Sequence, residues 1–172
     1  KKKNVLKVFA FEPMEPVFKI MQANITANPD VSGKIEIFPY GLGKADAVFE
    51  VPFSLSNNVN ASCHGLFDSG MKGTHMEKLE VRDVVKIVGP IIDENRAKKI
   101  LFKVDCEGSE FDIIPRLAET GILQKIDVII MEFHGQSPEC LLEALQESGF
   151  FAFWNWTETT GIPRGMIRAV RV

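Results

Sequence analysis

Lys103-Val104-Asp105-Cys106-Glu107-Gly108-Ser109-Glu110-Phe111-Asp112 decides the fold: an apolar run ends in clustered carboxylates and passes straight into a helix. Ile100-Leu101-Phe102 just before it is short and apolar enough for a buried strand. Gly108 permits a tight turn, and Ser109 stands where it can cap a helix whose inward positions are Phe111, Ile113, Ile114 and Leu117. In open parallel α/β sheets ligands bind beyond the carboxyl ends of the strands, so Asp105 and Glu107 lie where a ligand is expected. A competing role for acids here is to favour a helix N-terminus, worth about 0.3 to 1 kcal/mol each. That role suits Glu110 and Asp112 better than Asp105, which precedes the turn.

Outward from this junction the chain alternates between strand and helix patterns. Residues 5–11 read as a largely buried strand, followed by Glu12-Pro13. Pro13 and Pro16 sit where a helix begins, and Phe18, Met21 and Ile25 recur at helical spacing up to Asn28-Pro29. Residues 35–40 predict a second strand, closed by Gly41-Leu42-Gly43 as a tight turn, and residues 47–51 a third, more exposed one. The segment from Pro52 to Thr74, rich in Ser, Asn and Gly, is too long for an ordinary connection, and such loops are usually functional. Residues 76–81 predict a strand, with two short helical stretches at 83–88 and 91–98. Residues 126–133 make the strongest strand pattern and end in His134-Gly135. Ser137-Pro138 then reads as cap and first-turn proline of a helix with Leu141, Leu142 and Leu145 as its apolar stripe and Gly149 as its stop. Residues 150–154 and 166–172 read as an antiparallel pair, with Trp154 and Trp156 as core and rim packing. The fold class expected is α/β: a mostly parallel, doubly wound sheet with helices on both faces and an antiparallel C-terminal strand.

The bulk properties narrow the function. A chain of 172 residues with 45% hydrophobic content suits one domain, residues 1–172, with a real core. A net charge of -3 from 20 basic and 23 acidic residues, with no basic stripe beyond Lys1-Lys2-Lys3, argues against a nucleic-acid partner. Cys63, Cys106 and Cys140 are widely spaced without a Cys-x-x-Cys pair, which fits reduced thiols and a cytoplasmic location. No apolar stretch approaches the roughly 18 residues of a membrane span, and no cleavable signal pattern opens the chain.

Phe11-Glu12-Pro13, Gly41-Leu42-Gly43, the block from Lys103 to Glu110, and Glu132-Phe133-His134, in that order, resemble the FkbM family of methyltransferases that use S-adenosylmethionine. The Lys-Val-Asp-Cys-Glu-Gly-Ser-Glu block is close to the family's Lys-Ile-Asp-Val-Glu-Gly-Ala-Glu signature, and the resemblance runs over residues 8–134. It implies a Rossmann-like methyltransferase fold, transfer usually to an oxygen, and S-adenosylhomocysteine as by-product. The family opens with a strand and a glycine-rich loop of the Asp-x-Gly-Ala-Asn-x-Gly type, absent from this chain. The domain is therefore expected to be N-terminally incomplete, its first strand missing, or naturally shortened.

Carried over residue by residue, the resemblance makes Glu12 the acceptor of the ribose hydroxyls with Pro13 beside it, and puts Tyr40, Gly41 and Leu42 near the adenine. Asp105 is assigned both to the cofactor and to the catalytic group of Asp105, Glu107, Glu132 and His134. Residues two apart on an extended segment project to one side, so these acids and the imidazole converge on one rim if their strands are neighbours. A hydroxyl acceptor needs a base, and an imidazole titrating near pH 6.5 suits that task. The same set could hold magnesium, calcium or manganese, or His134 could simply satisfy a backbone group; the metal-free base is preferred. Asn57, Asn58 and Ser62, in a loop that in the family lies over the acceptor side, would contact a small-molecule or glycosidic acceptor. Against this O-methyltransferase stand a non-catalytic interaction domain that keeps the sheet and, from the acid after the second strand alone, a nicotinamide-dependent oxidoreductase.

Overall fold

The computed structural model describes residues 5–53, 75–159 and 162–172. Val8–Phe11 (β1) and Ile35–Phe38 (β2) pair in parallel, Phe11 opposite Phe38, and the two rings stack with centroids 4.9 Å apart. Between them run helix α1, Glu15–Thr26, with Pro16 in its first turn, and the single turn α2, Pro29–Ser32. Proline is tolerated there because the first helical N–H groups have no intrahelical acceptor. The stripe of Phe18, Met21 and Ile25 does fall on α1, yet no residue of that helix is buried.

Gly41–Gly43 (β3), Ala47–Phe53 (β4) and His75–Asp83 (β5) form a three-stranded sheet in the order β3-β5-β4. Gly41-Leu42-Gly43 is thus a strand and not the expected turn, running parallel to β5 with Gly43 opposite Asp83. Close approach explains the composition: a Cβ on Gly43 would lie 2.8 Å from Val81 Cγ1. Asp83 then caps Val84–Glu94 (α3), its carboxylate accepting the Val85 N–H at 2.9 Å. The two short helical stretches are one helix, continuous through Pro90, because Val84, Val88, Gly89 and Ile92 bury one face on both sides of it.

Leu101–Val104 (β6) leads into Glu110–Glu119 (α4), and a 3-10 turn at Leu123–Lys125 leads into Val128–His134 (β7). Glu139–Glu147 (α5), Phe150–Thr159 (β8) and Ile162–Arg171 (β9) complete a sheet in the order β6-β7-β9-β8. Pro138, not Ser137, holds the N-cap position of α5, and the Ser137 hydroxyl donates to the Glu139 carboxylate instead. The main core gathers Ile129, Met131 and Phe133 of β7, Ile113, Ile114 and Leu117 of α4, Leu141 and Leu145 of α5, and Ile167 of β9. Trp154 and Trp156, expected as core and rim, are 54% and 45% exposed on β8, which is paired on one side only among the described residues. Gly165 of β9 lets β8 come close, for a Cβ there would lie 2.7 Å from Trp156 Cα.

Strand pairing is mixed and not mostly parallel: β1–β2, β3–β5 and β6–β7 are parallel, while β4–β5, β7–β9 and β8–β9 are antiparallel. Among the described residues no helix is long and apolar enough to cross a membrane.

Asp127 pins the start of β7. Its carboxylate accepts the Ile100 N–H at 2.9 Å and pairs with Lys99 Nζ at 2.7 Å, tying the entry of β6 to that of β7. The bond from Lys99, then that from Ile100, hold this carboxyl below its ordinary range. A carboxylate depressed in the folded state stabilises above its unfolded value near about pH 3.9, and that contribution is lost as pH falls through the folded value. Asp127→Ala is therefore expected to lose about 1–3 kcal/mol at pH 7. The gap to wild type should narrow in denaturant titrations below about pH 4; an equal gap at both pH values would contradict the clamp.

Candidate functional site

The carboxyl ends of β6 and β7 are adjacent because the two strands pair in parallel, Val104 opposite Met131. Beyond Val104 the chain turns through Asp105 to Ser109 before α4 begins. Glu107 there adopts φ 51 and Gly108 φ 107, the left-handed region that glycine enters freely and glutamate does not. Strained non-glycine residues of this kind gather at functional sites. On β7, Phe133 points into the core while Glu132 and His134 take the other side of the pleat.

These groups meet around the imidazole of His134. Its Nε2 lies 3.4 Å from Glu132 Oε1 and 3.8 Å from Glu107 Oε2, and its Nδ1 lies 3.2 Å from Glu110 Oε1. The bond from Glu110 raises the His134 pKa from its ordinary value, burial opposes it, and the charges of Glu107, Glu110 and Glu132 add to the rise. For Glu107 burial is the main cause of a raised pKa, opposed by His134 and reinforced by the acids around it. Two cations sit at the rim: Lys103 Nζ is 2.9 Å from Asp105 Oδ2, and Arg164 is 3.5 Å from Glu132 Oε1. Asp105, Glu107 and His134 also offer one donor atom each within 4.8 Å of one another, a spacing that would admit a divalent cation.

All four residues expected as catalytic, Asp105, Glu107, Glu132 and His134, thus come together. Glu110 does stand in the first turn of α4, as the helix-end alternative has it, but it is also fully buried and partners His134. Ser109 holds the N-cap position of α4 but makes no side-chain cap; Glu110 instead turns its carboxylate back onto the loop N–H groups of Cys106 and Gly108. The available signal was spacing, since a glutamate two residues after a left-handed glycine can reach the amides of the turn that precedes it.

The second group lies at the ends of β1 and β2. Glu12 Oε1 accepts the Met14 N–H at 2.8 Å, and burial raises its pKa against that bond. Pro13 packs on Gly41, where a Cβ would meet Pro13 Cγ at 3.3 Å. Tyr40 is buried beside Phe11 and Phe38, with the Arg82 guanidinium 4.1 Å from its ring centroid. Leu42 packs against the main core, which Cys106 and Phe111 also touch, and Lys44 pairs with Asp112 at 3.1 Å. Residues 41–44 therefore join the Glu12 side to the α4 junction. Asn57, Asn58 and Ser62 lie outside the described residues.

No curated protein matches the chain. The fold is similar to the crystal structure of Methyltransferase FkbM from Methylobacillus flagellatus KT at 2.20 Å resolution, with a TM-score of 0.56 at 13% identity. That likeness covers 95% of this chain and 36% of the solved one, so the chain spans about a third of that protein's length. The sequence model of the Methyltransferase FkbM domain matches residues 1–151. With the Lys103-to-Glu110 block and Glu132-Phe133-His134 both inside that span, the chain belongs to the FkbM methyltransferase family.

Proposed function

We propose that the protein is an S-adenosylmethionine-dependent methyltransferase acting on a hydroxyl of a small-molecule or sugar acceptor, on a Rossmann-like, doubly wound framework. The observation that carries this reading is the gathering of Glu107, Glu132 and His134 at the adjacent ends of β6 and β7 in a chain of this family.

Glu12 suits the ribose: Met14 N–H fixes one oxygen, and partial burial strengthens whatever the carboxylate accepts. Pro13, next to it in sequence, packs on Gly41, and Tyr40, Gly41 and Leu42 would contact the adenine. The cofactor, when bound, supplies an electrophilic methyl group on its sulfonium. Asp105 and Glu107 would orient the acceptor at the rim, with Asn57, Asn58 and Ser62 contacting its polar groups. His134 would take the proton of the acceptor hydroxyl at Nε2, the ring nitrogen that does not face Glu110, with Glu132 stabilising the imidazolium that forms.

A base must be neutral to act, and the His134 pKa lies above its ordinary value near 6.5. Turnover should therefore climb with pH along a one-proton limb whose midpoint lies on the alkaline side of that value. His134→Ala is expected to lose about 10²–10⁴-fold in kcat with the affinity for S-adenosylmethionine nearly unchanged. Wild-type turnover in that variant, or an acid-side midpoint, would remove His134 from the base role. Separately, Glu12→Ala should weaken S-adenosylmethionine binding in calorimetry; unchanged affinity would remove Glu12 from the ribose role.

A further inference from the structure

We infer that Glu110 is a positioning residue that fixes His134 in the tautomer bearing hydrogen on Nδ1 and so keeps Nε2 open toward the acid-lined rim. Only the catalytic consequence rests on the function proposed above; the tautomer stands on geometry alone.

Glu110 is fully enclosed, and a carboxylate in such surroundings is tolerable only when its oxygens are filled by donors. Oε1 accepts the Cys106 N–H at 3.0 Å and faces His134 Nδ1 at 3.2 Å, while Oε2 accepts the Gly108 N–H at 2.7 Å. Each Glu110 oxygen already accepts a backbone N–H, so Oε1 is an acceptor and the hydrogen of the Nδ1 contact belongs to the ring. The two backbone donors flank Glu107, the residue held at φ 51. One buried group therefore secures both the imidazole from behind and the left-handed residue whose carboxylate faces Nε2 from in front. A carboxylate on one ring nitrogen setting the use of the other is a general device of histidine chemistry.

Gln is nearly isosteric with Glu but carries one acceptor and one NH₂ group. In Glu110→Gln, whichever way the amide lies, the NH₂ meets an N–H: that of Gly108 in one orientation, those of Cys106 and the ring in the other. Long-range nitrogen–proton NMR of wild-type protein, at a pH where the ring is neutral, should show His134 protonated at Nδ1 and bare at Nε2. Finding the hydrogen on Nε2, or an even mixture, would overturn the inference. Glu110→Gln should shift that population toward a mixture and lower kcat roughly tenfold with little change in the KM for methyl donor. In a His134→Ala background the same substitution should have no further effect on residual kcat. An equal loss in both backgrounds would make Glu110 a structural residue only and refute its action through His134. If Glu110→Gln fails to fold, the wild-type spectrum still decides. A correct tautomer with no methyl transfer would discard the proposed function and leave this inference intact.

Discussion

The pleat of β7 divides the main core from the candidate site. Ile129, Met131 and Phe133 are all fully buried, while Glu132 and His134 alternate with them toward the other side. Burying each of those apolar side chains is worth about 1.5–3 kcal/mol. A slip of one residue would turn Ile130, Glu132 and His134 inward in their place and drive Glu132 into an apolar layer. The packing that stabilises the strand thus also aims the functional side chains. Parallel pairing to β6 and antiparallel pairing to β9 hold the register on both sides, and Asp127 holds it where the strand begins.

The β6–α4 junction solves a different problem: how to keep several acids close together. Asp105, Glu107, Glu110 and Glu132 surround one imidazole, and their mutual repulsion is offset from several directions. Glu110 accepts from two backbone N–H groups and faces the ring, Asp105 pairs with Lys103, and Glu132 with Arg164. The left-handed backbone at Glu107 is the local strain that the junction holds in place, and the bonds to Glu110 on either side of it are what hold it. The bond from Glu110 is the main cause of the raised His134 pKa and burial that of the raised Glu107 pKa, with the neighbouring acids adding to both. Glu132 and Glu107 thus face one ring nitrogen of His134 while Glu110 faces the other.

Much of this was legible in the residues. The strand patterns at 126–133 and 100–102 and the helix over Ile113, Ile114 and Leu117 depend on local periodicity, and the structure follows them, the second strand running on to Val104. Convergence of Glu107 with Glu132 and His134 needed only that two parallel strands be neighbours. What failed depended on partners distant in sequence. Gly41-Leu42-Gly43 looks like a turn until Val81 is set against it, and Pro90 looks like a stop until the buried faces on both sides of it outweigh one lost hydrogen bond. Trp154 and Trp156 read as core because they are large and apolar, but β8 lies at the edge of its sheet among the described residues. The His134 contact of Glu110 was hidden for a similar reason: its partner lies 24 residues on.

The proposed function requires that the ends of β1, β2, β6 and β7 border one nucleoside-sized crevice. Titrating S-adenosylhomocysteine into isotope-labelled protein and following every backbone amide decides whether they do. Saturable shifts at Glu12, at Gly41 and Leu42, and at Cys106 to Gly108 together, with a single affinity, are expected. Shifts confined to one of those segments, shifts elsewhere, or none at all would refute it.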